Sequence, residues 1–139
     1  MPTNLSLDQI YQLINEASQL DRFFALQLFF IIFTGCTVEE SCVITWEGLY
    51  IHEQEMRICK KTYPLNNDAL QILSGCSRVF DPYVFGYRHP SQIHNRTRIL
   101  AGRLKDQFTV SELRKAYAAA MWWRDIQGVT LDIGMHRER

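Results

Sequence analysis

The chain of 139 residues is 47% apolar and 22% charged, which supplies a single core and excludes a disordered chain. Fifteen lysines and arginines balance fifteen acidic residues, so no overall field draws the protein to nucleic acid. The balance is uneven along the chain: residues 1–57 hold two basic and eight acidic side chains, net −6, and residues 86–124 hold eight basic and two acidic, net +6. A neutral protein polarised in this way can still bind an anion with one face, more weakly than one that is basic throughout.

Ser6 followed by Gln9 has the spacing of a capping box, and Leu7, Ile10, Leu13, Ile14 and Ala17 share one helical face behind it. A second helix is expected from about Asp21 to Phe33; it is apolar nearly all round, which implies burial on several sides. Its run from Phe23 to Phe33 is about half the roughly 20 residues of a membrane span and is interrupted by Gln27. No membrane is expected as a partner. The N-terminus shows no basic segment followed by an apolar one, so no secretory signal is read and the expected location is the cytoplasm. Thr34-Gly35 ends the helix, and Thr37 with Glu40 repeats the capping-box spacing for a short third helix.

From Cys42 to Leu65 the period changes. Val43, Ile44 and Trp46, then Tyr50 and Ile51, then Met56 to Ile58, then Thr62 to Leu65 read as short strands with tight connections. Asn67 is placed to cap a helix through Ile72 and Leu73 that Gly75 stops, and residues 79–90, with Pro82, Gly86 and Pro90, read as a loop. The next helix is expected from Ser91 to about Asp106 with Ile93, Thr97, Leu100 and Leu104 inward. Arg96 and Arg103 lie on one of its flanks, Arg98 and Lys105 on the other. A solvated helix surface and an anion-contacting one are both consistent with that pattern. A last helix begins near Ser111, turns Leu113, Ala116, Tyr117, Ala120 and Trp123 inward, and breaks at Gly128. The fold class is therefore mainly α (α+β), helices around a small antiparallel sheet.

Cys36, Cys42, Cys59 and Cys76 form no CxxC pair, and His52, His89 and His94 are isolated. The reading is reduced thiols in the core, loop or surface histidines, no metal site and no cofactor.

Four segments in order resemble the catalytic domain of tyrosine recombinases, the phage-integrase family. Thr-Gly-Cys-Thr-Val-Glu-Glu at 34–40 is similar to its T-G-L-R-x-x-E segment, and Ile44-Thr-Trp-Glu-Gly-Leu to its L-x-W-x-D-I segment. Tyr63-Pro64-Leu65 is similar to the V-P-L that closes its hairpin, and Ser111-Glu112-Leu113-Arg114-Lys115 to its H-x-L-R-H. The resemblance covers about residues 6–134. It implies a three-stranded sheet and a site where a tyrosine attacks a DNA phosphodiester held by two arginines, with a lysine and histidine-type residues assisting.

The departures are substantial. Thr37 stands where the first arginine belongs, and threonine offers no charged bidentate fork to a phosphate. Arg114 keeps the second arginine, while Ser111 and Lys115 replace the flanking histidines. The hairpin is several residues shorter, leaving Lys60 or Lys61 as the lysine, and the later Gly-His pair corresponds to Gly134 with His136. The nucleophile would follow that pair, and the last tyrosine is Tyr117. The expectation is one integrase-like domain over 1–139 without the N-terminal DNA-clamp domain and without the C-terminal tyrosine segment. On this reading the protein is no enzyme.

Three functions follow. The first is a DNA-binding accessory or regulatory factor of a mobile genetic element, contacting duplex backbone through Arg88, Arg96, Arg98, Arg103, Lys105, Arg114 and Lys115. The second is a module pairing with itself or with an active recombinase, for which Met121, Trp122 and Trp123 supply aromatic surface. The third is residual strand cleavage through Tyr83 or Tyr87, in the loop before the basic helix.

Overall fold

Asp21 fixes where the central helix begins. Its carboxylate accepts the backbone N–H groups of Phe23 and Phe24 at 3.0 and 3.2 Å, satisfying donors that a helix start leaves without partners. In the computed structural model residues 7–127 are described, with side chains at 9 and 11–120. The expectations placed on Ser6, Gly128, Gly134 and His136 lie outside the described residues. So do those on the side chains of Leu7, Ile10, Met121, Trp122 and Trp123.

Within them run α1 (Leu7–Leu20), α2 (Arg22–Thr34), α3 (Val38–Ser41), then β1 (Leu49–Tyr50), β2 (Glu55–Ile58) and β3 (Lys61–Pro64), followed by α4 (Asn67–Ser74), α5 (Pro90–Arg103) and α6 (Val110–Gln127). The strands form one antiparallel sheet in the order β1-β2-β3, with Met56 opposite both Leu49 and Tyr63. Every residue of α2 from Phe24 to Thr34 is buried, as its all-round apolar sequence requires, and α1, α4, α5 and α6 pack around it. Phe30 stacks against Phe85 and Phe33 against Tyr117, with ring centroids 5.0 and 4.7 Å apart. Gly35 ends α2 at φ 82°, the left-handed conformation that glycine adopts without strain.

The structure moves several expected boundaries. Val43, Ile44 and Trp46 are not a strand of the sheet. The alternation behind that expectation is real, Val43 being 47% exposed and Ile44 2%, but the partner is the loop at 79–90. Thr45 forms an isolated bridge with Tyr83, the Ile44 carbonyl accepts from Val84 N–H, and Trp46 N–H donates to the Pro82 carbonyl. Trp46–Gly48 then tightens into a single 3₁₀ turn. Helix α4 is capped by Asn66, whose side chain accepts from Ala69 N–H at 2.9 Å, rather than by Asn67, and Gly75 ends it at φ −87° without a left-handed turn.

Helix α5 starts at Pro90, where a missing N–H costs nothing. It stops short of Asp106 because Lys105 turns left-handed at φ 54°. Lys105 N–H then donates to Gly102 and Asp106 N–H to Ala101, the paired bonds of a Schellman ending. Thr109 caps α6 reciprocally: Glu112 N–H donates to its hydroxyl, and Thr109 N–H to the Glu112 carboxylate.

Candidate functional site

Two of the four recombinase-like segments meet at Glu40, and a third reaches the first of them at Gly35. Thr37 caps α3, accepting Glu40 N–H at 3.0 Å, while Thr37 N–H donates to Glu40 Oε1 at 2.8 Å. From the sheet, Tyr63 donates its hydroxyl to the same oxygen at 2.7 Å and Lys61 Nζ lies 3.4 Å from Oε2. From α6, Arg114 Nη2 donates to the Gly35 carbonyl at 2.8 Å. Burial opposes ionisation of Glu40, but the bonds from Thr37 N–H and Tyr63 and the Lys61 ammonium outweigh it and hold the carboxyl below its ordinary value. Tyr63 is pushed up, by burial first and then by its bond to that carboxylate.

Thr37 and Arg114 are thus brought to one short segment, with the Thr37 hydroxyl and one Arg114 nitrogen bonded within the protein. Lys60 occupies the turn between β2 and β3, where Cys59 and Lys60 have φ of 50° and 64° and their side chains are exposed; of the two lysines, only Lys61 reaches Glu40. Ser111 is exposed at the start of α6. Cys36, between Gly35 and Thr37, is buried, and burial pushes its thiol up to about 12, which leaves it without thiolate character at neutral pH.

The tyrosines are held as well. Tyr117 is buried in the core, donates its hydroxyl to Asp68, and accepts from Asn66 Nδ2 at 3.2 Å. Tyr87 donates to Asp21 and is also raised, by burial first and then by that bond. Its backbone is bound in both directions by the buried amide of Gln27. Tyr83 lies under the Arg88 guanidinium, 3.2 Å from ring centroid to Cζ.

The basic residues separate into two groups. Arg88 donates Nε to the Cys42 carbonyl at 2.7 Å. Arg96 pairs with Asp21 at 3.3 Å and covers the Tyr87 ring at 4.3 Å. With Arg114 on Gly35, these three are tied to other parts of the chain, Arg88 while remaining exposed. Arg98, Arg103, Lys105 and Lys115 are exposed and form no ion pair with a carboxylate among the described residues. Sequence spacing could not make this division, since the carboxylate that pairs with Arg96 is 75 positions away. All four cysteines are free, and Cys59 alone is exposed. Among the described residues no group of three or more histidines, cysteines and carboxylates is placed to hold a metal, and no helix is long and apolar enough to cross a membrane.

The crystal structure of XerA recombinase superimposes on this chain with a TM-score of 0.65 at 21% identity, over 88% of this chain and 51% of that one. The fold is recombinase-like. Mostly helical with a three-stranded antiparallel sheet, this recombinase-like domain spans about half the length of that XerA chain. No protein-family model and no curated sequence matches it.

Proposed function

We propose that the protein is a recombinase-like DNA-binding domain that holds duplex backbone without cleaving it, as an accessory or regulatory factor of a mobile genetic element. The observation that carries the reading is the set of four exposed cations, Arg98, Arg103, Lys105 and Lys115, on α5, the turn after it and α6. In a fold similar to that of XerA recombinase, these cations are suited to phosphates, Arg98 and Lys105 lining one groove, and such contacts position a protein on DNA while carrying little sequence information. Binding of random duplex DNA in about the micromolar range at physiological salt is expected. Each lost phosphate contact lowers the slope of log K against log salt by about 0.9, alike for all sequences. Arg103→Glu, an exposed change outside every internal tie, is the direct test in a gel-shift series at several salt concentrations. Lys105→Gly removes a cation while relieving a left-handed lysine, so it should weaken DNA binding with the melting temperature kept or raised. If neither variant changes affinity or slope, the reading is wrong.

The absence of cleavage rests on Thr37. By analogy with oxyanion donors, one missing phosphate ligand costs about 10²–10³ in rate, and the hydroxyls of Tyr87 and Tyr117 are committed to Asp21 and Asp68. Nicked suicide substrates of the recombinase type are expected to give no covalent adduct; a denaturation-resistant adduct lost in Tyr83→Phe or Tyr87→Phe would refute this. A second reading, pairing with another copy or with an active recombinase, is favoured by the exposed apolar residues Phe23 and Val79 (48% and 69%). It takes over if DNA is not bound even at low salt.

A further inference from the structure

The exposed face of α5 and the turn leading to α6 border an open groove of about 1000 Å³. Arg98, Gly102 and Lys105 line it at four- and three-residue spacing, with Gln107 and Thr109 from the connecting turn. Gly102 sits in the last turns of the helix at an ordinary helical φ, and a Cβ built on it meets nothing within 4 Å among the described residues. Glycine is less favourable than alanine inside a helix. Neither backbone conformation nor packing among the described residues therefore calls for glycine here. What its missing side chain provides is a bare strip of helix surface between Arg98, one turn before it, and Lys105 in the left-handed turn that follows the helix.

We propose that this groove seats the phosphodiester backbone of one DNA strand, which crosses over Gly102 with Arg98 and Lys105 on separate phosphates and Gln107 and Thr109 as neutral polar neighbours. The assignment rests on the DNA-binding reading above and locates it. Two carboxylates also line the groove, Asp106 and Glu112. Both serve the connecting turn: Glu112 accepts from Thr109, and Asp106 from Gln107 N–H at 2.7 Å. Their charge nonetheless opposes a phosphate. Filling the floor should therefore weaken binding, and neutralising the wall should strengthen it.

The test measures anisotropy of labelled random-sequence duplex DNA with the full chain at one fixed salt concentration, alongside thermal melting of each variant. Gly102→Leu, which the open space accommodates, is expected to keep or raise the melting temperature and to lower affinity about tenfold, the loss of one good contact. His94→Leu, an exposed change on the same helix outside the groove, should leave affinity unchanged. Asp106→Asn should raise it about threefold, the effect of removing one unit charge several ångströms from a phosphate in water. If Gly102→Leu stays folded and binds DNA as wild type does, or if Asp106→Asn does not tighten binding, the groove is not the seat and the DNA-binding reading survives. A wild-type chain that binds no DNA at low salt overturns both.

Discussion

Gln27→Leu is expected to lower stability by about 2–4 kcal/mol, although leucine is the more hydrophobic side chain and close in size. Gln27 is completely buried in α2. Its Nε2 donates to Ser41 Oγ and to the Tyr87 carbonyl, each at 3.0 Å, and its Oε1 accepts Tyr87 N–H at 3.2 Å. The amide therefore does for the loop at 79–90 what a neighbouring strand would do, binding both backbone groups of one residue. Leucine would leave that N–H and C=O without partners, at about 1–3 kcal/mol for each buried group, partly offset by the apolar gain. Ser41 would be spared, since its hydroxyl also donates to the Val38 carbonyl at 2.7 Å. Urea denaturation with an unchanged m-value is the measurement; a loss below about 1 kcal/mol would mean that water or a shifted loop satisfies Tyr87 instead.

That residue also marks the limit of what sequence reading reaches. Gln27 reads there as an interruption of an apolar run, which correctly argues against a membrane span but hides its partner 60 positions away. Local grammar is legible: the Thr37–Glu40 capping box and the left-handed Gly35 form as their spacing requires, and Ile93, Thr97 and Leu100 of α5 and Leu113, Ala116 and Tyr117 of α6 are buried as expected. The candidate site was legible only where it is local. Thr37 and Arg114 could be placed on the segments that meet, whereas the engagement of Glu40 by Tyr63 and Lys61 depends on the phase of β3 after the turn. That turn is built from Cys59 and Lys60 at positive φ and carries no Asn-Gly or Asp-Gly signal, so nothing in the sequence decides which lysine reaches inward. Arg96 and Arg103 share one flank of the helical wheel, yet only the first lies opposite a carboxylate.

Asp21→Ala is expected to cost about 2–4 kcal/mol at neutral pH, because one carboxylate serves three elements. It caps α2, and losing such a cap costs about 0.5–2 kcal/mol. It also accepts the Tyr87 hydroxyl from the loop, a bond worth about 1 kcal/mol. Finally it pairs with Arg96 of α5, both side chains being partly exposed, which adds at most about 1 kcal/mol. The same contacts set the pH dependence. Burial raises the Asp21 carboxyl, but the bonds from Tyr87 and Phe24 N–H and the Arg96 guanidinium outweigh it, so the folded value lies below the ordinary one. The native state then binds fewer protons than the unfolded chain through the acid range. The contribution is complete above the ordinary carboxylate value and is lost as pH falls through the lowered folded value. Glu40 shifts in the same direction, so removing Asp21 shrinks the acid dependence without abolishing it. Asp21→Asn separates the two effects, since asparagine caps a helix about as well as aspartate but does not titrate. Melting at neutral pH and at about pH 3 should show Asn less destabilised than Ala at neutrality and losing less than wild type on acidification. If Asp21→Asn instead follows wild type through the acid range, its carboxylate does not couple α2, the Tyr87 loop and α5.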